Sequence, residues 1–283
     1  MGNVLFHYYS KAFWDEYDRE IRSKDNQQAS DRMLQKMHGI FQGTVIASVE
    51  AEGDSDKCLE VALAQTALAL DVLRFYSPAA FVGPVTAVFG MEGRTLLPKT
   101  VWWTWEDQHR FFNERLQKYD PFEWVILASD LERFKQDGFH EASDLVSRDG
   151  LSEFEEVLLS SLTLFARSTA APDFHDKLVY LLSAIETLLL GGATEPIQTN
   201  LGLRLAFLVE NTREGRKEVD RLVRVAYGYR SQYLHHGKKQ ENYEVLMQLK
   251  HSAWTAIRNA LTNKGKFAMH TQFIEAVRNS IYS

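Results

Sequence analysis

From residue 151 onward, apolar residues recur at helical spacing in six successive runs, and this pattern limits the fold more than any other feature. The runs predict helices over 151–167, 173–190, 199–211, 215–236, 240–262 and 268–281. Pro172, Gly191-Gly192, Pro196, Gly237 and Gly265 fall between them, where they stop a helix or permit a turn. Six helices with short links must bury their apolar stripes against one another, so an all-α bundle is expected.

The first half is mixed. Residues 11–22 read as a short amphipathic helix, with Phe13, Trp14, Tyr17 and Ile21 at helical spacing. A strand is expected over 43–50 and a helix over 57–76, stopped by Ser77-Pro78. Gly83-Pro84 opens an expected strand at 85–89, and another follows at 96–105, with hairpin composition at 90–93 between them. Helical segments are expected at 106–118 and 124–136. The pattern changes near Asp149-Gly150. The chain is therefore expected to be mainly α, an α+β N-terminal domain over 1–148 preceding a helical bundle over 149–283.

Composition narrows the setting. With 45% hydrophobic and 25% charged residues the chain resembles a folded, soluble protein. No run approaches the roughly 18 apolar residues that span a bilayer. The first residues lack a basic start and a small-residue cleavage site, so a cytoplasmic protein without membrane association is expected. Cys58 is the single cysteine, which excludes an internal disulfide and any cysteine-rich zinc site. Glu106, Asp107 and His109 make a weak metal set, and Gly191-Gly-Ala-Thr-Glu lacks the lysine of a phosphate loop. No metal or other cofactor is expected. Val101-Trp-Trp-Thr-Trp105 reads as a strand with a buried face and Trp103 at an interface.

Charge is unevenly spread. Net charge is −6, yet residues 200–270 carry 13 Lys and Arg against 6 Asp and Glu. A basic segment on an acidic body suits a local anionic ligand.

That segment holds Tyr227-Gly-Tyr-Arg230-Ser-Gln-Tyr-Leu-His235-His236-Gly237 near the end of a helix. At about 100° per residue, Arg230 and His235 lie roughly 140° apart. Arg230 falls within or beside the apolar stripe of Val223, Ala226 and Tyr233, whereas His235 shares its face with Arg221, Arg224 and Ser231. A charge on an apolar stripe needs a partner. Glu186 and Arg204 have the same oddity, so Glu186 is expected to pair with Arg230, Arg204 or both. Two readings remain open: an ion pair that fixes helix register, or an arginine that holds a phosphate beside a histidine that moves a proton. His235 and His236 fall in the last turn, with Gly237 at the C′ position.

This string resembles the signature of the HEPN superfamily, whose ribonuclease members carry Arg, four to six residues, then His. Residues 154–167, Ala170-Ala-Pro-Asp-Phe174, 178–190 with Glu186, and 201–209 are similar in order and spacing to the Apea-like HEPN branch. The resemblance covers about residues 151–262. It implies an all-α bundle that dimerises and cuts RNA without a metal, in phage defence or a toxin–antitoxin system, with an antitoxin or regulatory protein as a further partner. Arg230 then corresponds to the motif arginine and His235 to the motif histidine, with His236 able to share or replace that role. Glu186, Arg204, Ser231 and Tyr233 become supporting residues, while Arg221, Arg224, Lys238 and Lys239 would track the RNA backbone. Ser231 departs from the Asn, Asp or His common after the arginine in nuclease members. Other HEPN proteins have lost catalysis and serve as dimerisation or RNA-binding modules.

Overall fold

A computed structural model describes residues 4–8, 45–87, 90, 99–106, 109–116, 126–192 and 195–282. The chain is mainly helical and divides into two compact units, Met1–Thr66 and Ala67–Ser283. No helix among the described residues is long and apolar enough to cross a membrane.

In the first unit β1 (Val4–Tyr8) pairs antiparallel with β2 (Val45–Val49), Val4 opposite Val49 and Tyr8 opposite Val45. β2 is the strand expected over 43–50. Helix α1 (Ser55–Tyr76) begins here and ends in the second unit. Its start is capped by Asp54, whose Oδ1 accepts the Lys57 N–H at 2.8 Å. The expected helix at 11–22 lies outside the described residues.

The second unit opens with a correction. β3 (Lys99–Glu106) pairs antiparallel with β4 (His109–Leu116), Lys99 opposite Leu116 and Glu106 opposite His109. The expected helix over 106–118 is therefore a strand. Its local apolar spacing suits either period, and pairing with β3 supplies the backbone partners that decide between them. Residues 85–87 are irregular rather than a strand, and the Ala87 N–H donates to the Thr169 carbonyl at 2.8 Å. Positions 88, 89 and 91–93, which complete the expected strand and hairpin turn, lie outside the described residues. So do the side chains behind the expectations for Trp103 and for the Glu106–His109 group.

The helices follow: α2 (Ala128–Gln136), α3 (Phe139–Ser147), α4 (Glu153–Ala170), α5 (Phe174–Leu189), α6 (Ile197–Val209), α7 (Arg213–His236), α8 (Tyr243–Thr262) and α9 (His270–Tyr282). All six helices expected beyond residue 150 form; the short α3 gave no clear signal. Starts are set by polar caps. Ser152 and Glu155 exchange bonds at α4, Asp173 accepts from the His175 N–H at α5, and Asn242 accepts from two N–H groups at α8. α4 lies along α5, α6 along α7, and α8 packs against α5, α6 and α7. Leu158, Leu162 and Phe165 of α4 and Leu178, Leu181, Leu182 and Ile185 of α5 are fully buried in the core these helices share, and Phe154 packs on Phe267 and Phe273. Gly202 of α6 faces Asp220 of α7, and a Cβ added there would stand 2.4 Å from Oδ1 and displace that carboxylate.

The change of pattern at 149–150 falls inside this unit, because the chain from the end of α1 is bound to the bundle. Phe75 stacks on Trp254, and the Trp254 indole N–H donates to the Phe75 carbonyl at 3.1 Å. Two buried lysines hold the segment that follows. Lys250 Nζ donates to the Ala79 carbonyl at 2.8 Å, and Lys177 Nζ to the Val85 carbonyl at 2.9 Å and the Thr86 hydroxyl at 3.0 Å. Neither amine has a carboxylate partner among the described residues. Burial pushes Lys250 down to about 7, helped by the charge of Lys177, and burial pushes Lys177 down to about 8.

Candidate functional site at the end of helix α7

Val219, Leu222, Val223 and Ala226 are the buried residues of α7 and define its inward face. Arg230 takes the next place along that face, at +4 from Ala226, so its charge arrives where an apolar side chain would sit. Glu186 of α5 meets it there. Arg230 Nη1 donates to Glu186 Oε1 at 2.7 Å, with the two side chains 26% and 23% exposed. The Tyr227 hydroxyl donates to the same oxygen. Burial raises the Tyr227 pKa well above the usual phenol value, and the bond and charge of Glu186 add to the effect. The phenol therefore stays a donor at every working pH.

Arg204 does not share this carboxylate, contrary to one expected pairing. Its Nη1 donates to the Leu189 carbonyl at 2.6 Å and to Glu195 Oε1 at 3.1 Å, and its Nη2 lies 2.7 Å from Glu195 Oε2. Glu195 precedes α6, where Arg204 can close it back onto the last turn of α5. This is a buried structural clamp between two helices, separate from the Arg230 group.

Past Arg230 the helix turns outward. At about 100° per residue, Leu234, Ser231 and His235 follow at about 40°, 100° and 140° on one side. All three are exposed. His236 is also exposed but lies on the other flank, with Tyr229 and Tyr233. Neither His235 nor His236 has a hydrogen-bond or ion-pair partner among the described residues. Gly237, at φ 62, ends the helix as expected: its N–H donates to Tyr233 and that of Lys238 to Gln232.

Tyr233 faces inward, away from Ser231 and His235. Its ring stacks on His175 at 4.2 Å. His175 is 1% exposed, and neither ring nitrogen has a hydrogen-bond partner among the described residues; Nδ1 stands 3.4 Å from Asp173 Oδ1 without the alignment of a bond. Burial raises the Asp173 carboxyl, but backbone N–H bonds from His175 and Asp176 and the charge of Lys239 hold it below its usual range.

The expected RNA-tracking cations fall into two sets. Arg221 is forked onto Glu218, and Arg224 onto Asp220 through Nε at 3.0 Å and Nη2 at 3.3 Å. Their charges are locally offset. Lys238 and Lys239 are exposed in the link to α8 and form no close ion pair among the described residues, although the Lys239 charge reaches Asp173.

The sequence reading missed Tyr227 and His175. Tyr227 carried a usable signal, lying three residues before Arg230 and thus beside it on the helix. His175 carried none, because a histidine at the first turn of an amphipathic helix reads as surface. No family model, curated protein or solved structure matches this chain.

Proposed function

We propose that this chain is a metal-independent endoribonuclease of the HEPN type, in which the RNA's own 2′-hydroxyl attacks the adjacent phosphate. The observation that carries the reading is Arg230, a guanidinium at the bundle surface held by Glu186 little more than one turn before an exposed histidine. Arg230 would hold the phosphate and offset the charge gained in the transition state. His235, or His236, would move protons. The 2′-oxygen bonds to phosphorus as its proton passes to a base; the P–O5′ bond breaks as the 5′-oxygen takes a proton. A 2′,3′-cyclic phosphate and a 5′-hydroxyl result.

One imidazole cannot serve both sides of phosphorus. A homodimer would bring a second set, and Leu234, 55% exposed between Arg230 and His235, offers apolar surface for it. Ser231, on the same exposed side, could add a hydrogen bond, and Lys238 and Lys239 supply open charge for the RNA backbone. An activity of this kind harms its own cell, which suits phage defence or a toxin held off by an antitoxin in the cytoplasm.

A second reading is a non-catalytic HEPN module that dimerises or binds RNA. The carboxylate pairing of Arg221 and Arg224, which offsets charge meant for the RNA backbone, favours its dimerising form.

Incubating the full chain with mixed RNA in EDTA separates the two. The nuclease reading expects cleavage with cyclic-phosphate ends, reduced about 100-fold or more by Arg230→Ala and by the responsible histidine substitution, His235→Ala or His236→Ala, without loss of fold. RNA binding without cleavage would favour the second reading. Strict dependence on a divalent cation would overturn the mechanism.

A further inference from the structure

Glycine weakens a helix interior more than any residue except proline, so a glycine far from either end needs a reason. Helices α6 and α7 contain three glycines, and the fold accounts for two. A Cβ at Gly202 would meet Asp220, and one at Gly215 would meet Glu210. Gly228 differs. It lies in the body of α7, takes no positive φ, and a Cβ there would meet nothing within 4 Å among the described residues. At about 100° per residue it points about 120–180° away from Val219, Leu222, Val223 and Ala226, the inward face. Lys217, Arg221, Arg224, Ser231, Gln232 and His235 share the outer face with it, and all six are exposed.

Resting on the nuclease reading above, we propose that the bare strip at Gly228 is where the phosphodiester backbone of the RNA lies against α7, with Arg221 and Arg224 on its N-terminal side and Ser231 and His235 on its C-terminal side. The two arginines leave room for it. Glu218 sits about 80° to one side of Gly228 and Asp220 about 80° to the other. Glu218 forks Arg221 and Asp220 forks Arg224, each through Nε and Nη2, so the guanidiniums are drawn to opposite flanks and the centre line stays clear. Nη1 of each has no partner among the described residues, which leaves two N–H groups for a phosphate oxygen. Charge selects the occupant. Residues 213–239 carry eight Lys and Arg against three Asp and Glu, which suits an anionic strand. A second copy of α7 crossing at Gly228 would set this strip against itself, cation to cation. Without a side chain in the way, a strand can touch the helix backbone, and from there it reaches His235 within about two turns.

The test pairs thermal unfolding of the full chain with its binding to a 2′-O-methyl RNA oligonucleotide, which has no nucleophile and cannot be cut. Gly228→Ala should raise the melting temperature by about 2 °C, because alanine is the better helix former, yet weaken the probe's Kd about threefold. Gly228→Leu puts more bulk on the strip and should weaken it about tenfold. Ala276→Leu, which adds similar bulk to the exposed side of α9, should bind as wild type. Opposite signs for stability and affinity at one residue separate a docking strip from a packing position. Full affinity in Gly228→Leu, an equal loss in Ala276→Leu, or a lower melting temperature in Gly228→Ala would overturn the proposal. So would a dimer lost by Gly228→Leu in light scattering while RNA affinity holds, since the strip would then belong to a second copy. Should Gly228→Leu fail to fold, the two Gly228→Ala measurements decide alone. If wild type cuts RNA and Gly228→Leu binds the probe equally well, the strip falls and the nuclease reading stands. If wild type binds the probe in this Gly228-dependent way but cuts no RNA, the nuclease reading falls and the strip stands. If wild type does not bind the probe, both fall.

Discussion

Arg204 and Arg230 are one residue type on neighbouring helices, yet their surroundings prepare them for different work. Arg204 is 5% exposed, and its guanidinium is committed to Glu195 and the Leu189 carbonyl. Removing it takes the cation from Glu195, which keeps only the Gly191 N–H and the Asn200 amide as donors, and leaves the Leu189 carbonyl without its guanidinium, so Arg204→Met should cost about 2–4 kcal/mol in urea unfolding. Arg230→Met removes a single half-exposed bond and should cost less than about 1 kcal/mol by the same measurement. Equal losses would mean that Arg230 is as structural as Arg204. Helical periodicity was enough to mark Glu186, Arg204 and Arg230 as charges on apolar stripes. It could not choose their partners, because Glu195 lies in a polar link whose path no periodicity records.

At the scale of elements, the sharpest case is the segment 77–87, a 3-10 turn over Pro78–Ala80 followed by irregular chain, held by Lys177 and Lys250 on carbonyls of a stretch with no titratable side chain of its own. Both amines are ordinary in the unfolded chain, near 10.5, and depressed in the folded one, Lys250 to about 7. Between those values the unfolded chain binds more protons, so this contribution to stability rises from about pH 7 to 10.5 and is lost as pH falls through 7. Urea midpoints at pH 6.5 and 9 should therefore differ less in Lys250→Met than in wild type. Identical pH dependence would show that the amine is hydrated after all. The six C-terminal helices were legible because long amphipathic runs with polar caps allow one period. β4 was not, since eight residues with Phe111 and Phe112 suit either period until β3 supplies a partner.

For the molecule as a whole, the change in pattern near residue 149 marks where long helices begin, while packing joins the chain from residue 67 onward into one unit. The reason is specific: Trp254 and Lys250 of the bundle use Phe75 and Ala79 as hydrogen-bond acceptors. A fragment over 149–283 would leave both donors unmet and the apolar surface under Phe75 open. It should unfold at lower urea than one over 67–283, as circular dichroism can measure. Matching midpoints would mean the preceding segment adds nothing. Those sealed amines also make an internal clock. A mild acylating reagent will mark surface lysines at once, but it can reach the Lys177 and Lys250 nitrogens, the most weakly basic amines in the bundle, only while residues 77–87 stand away from it. Their slow labelling would count those openings one by one.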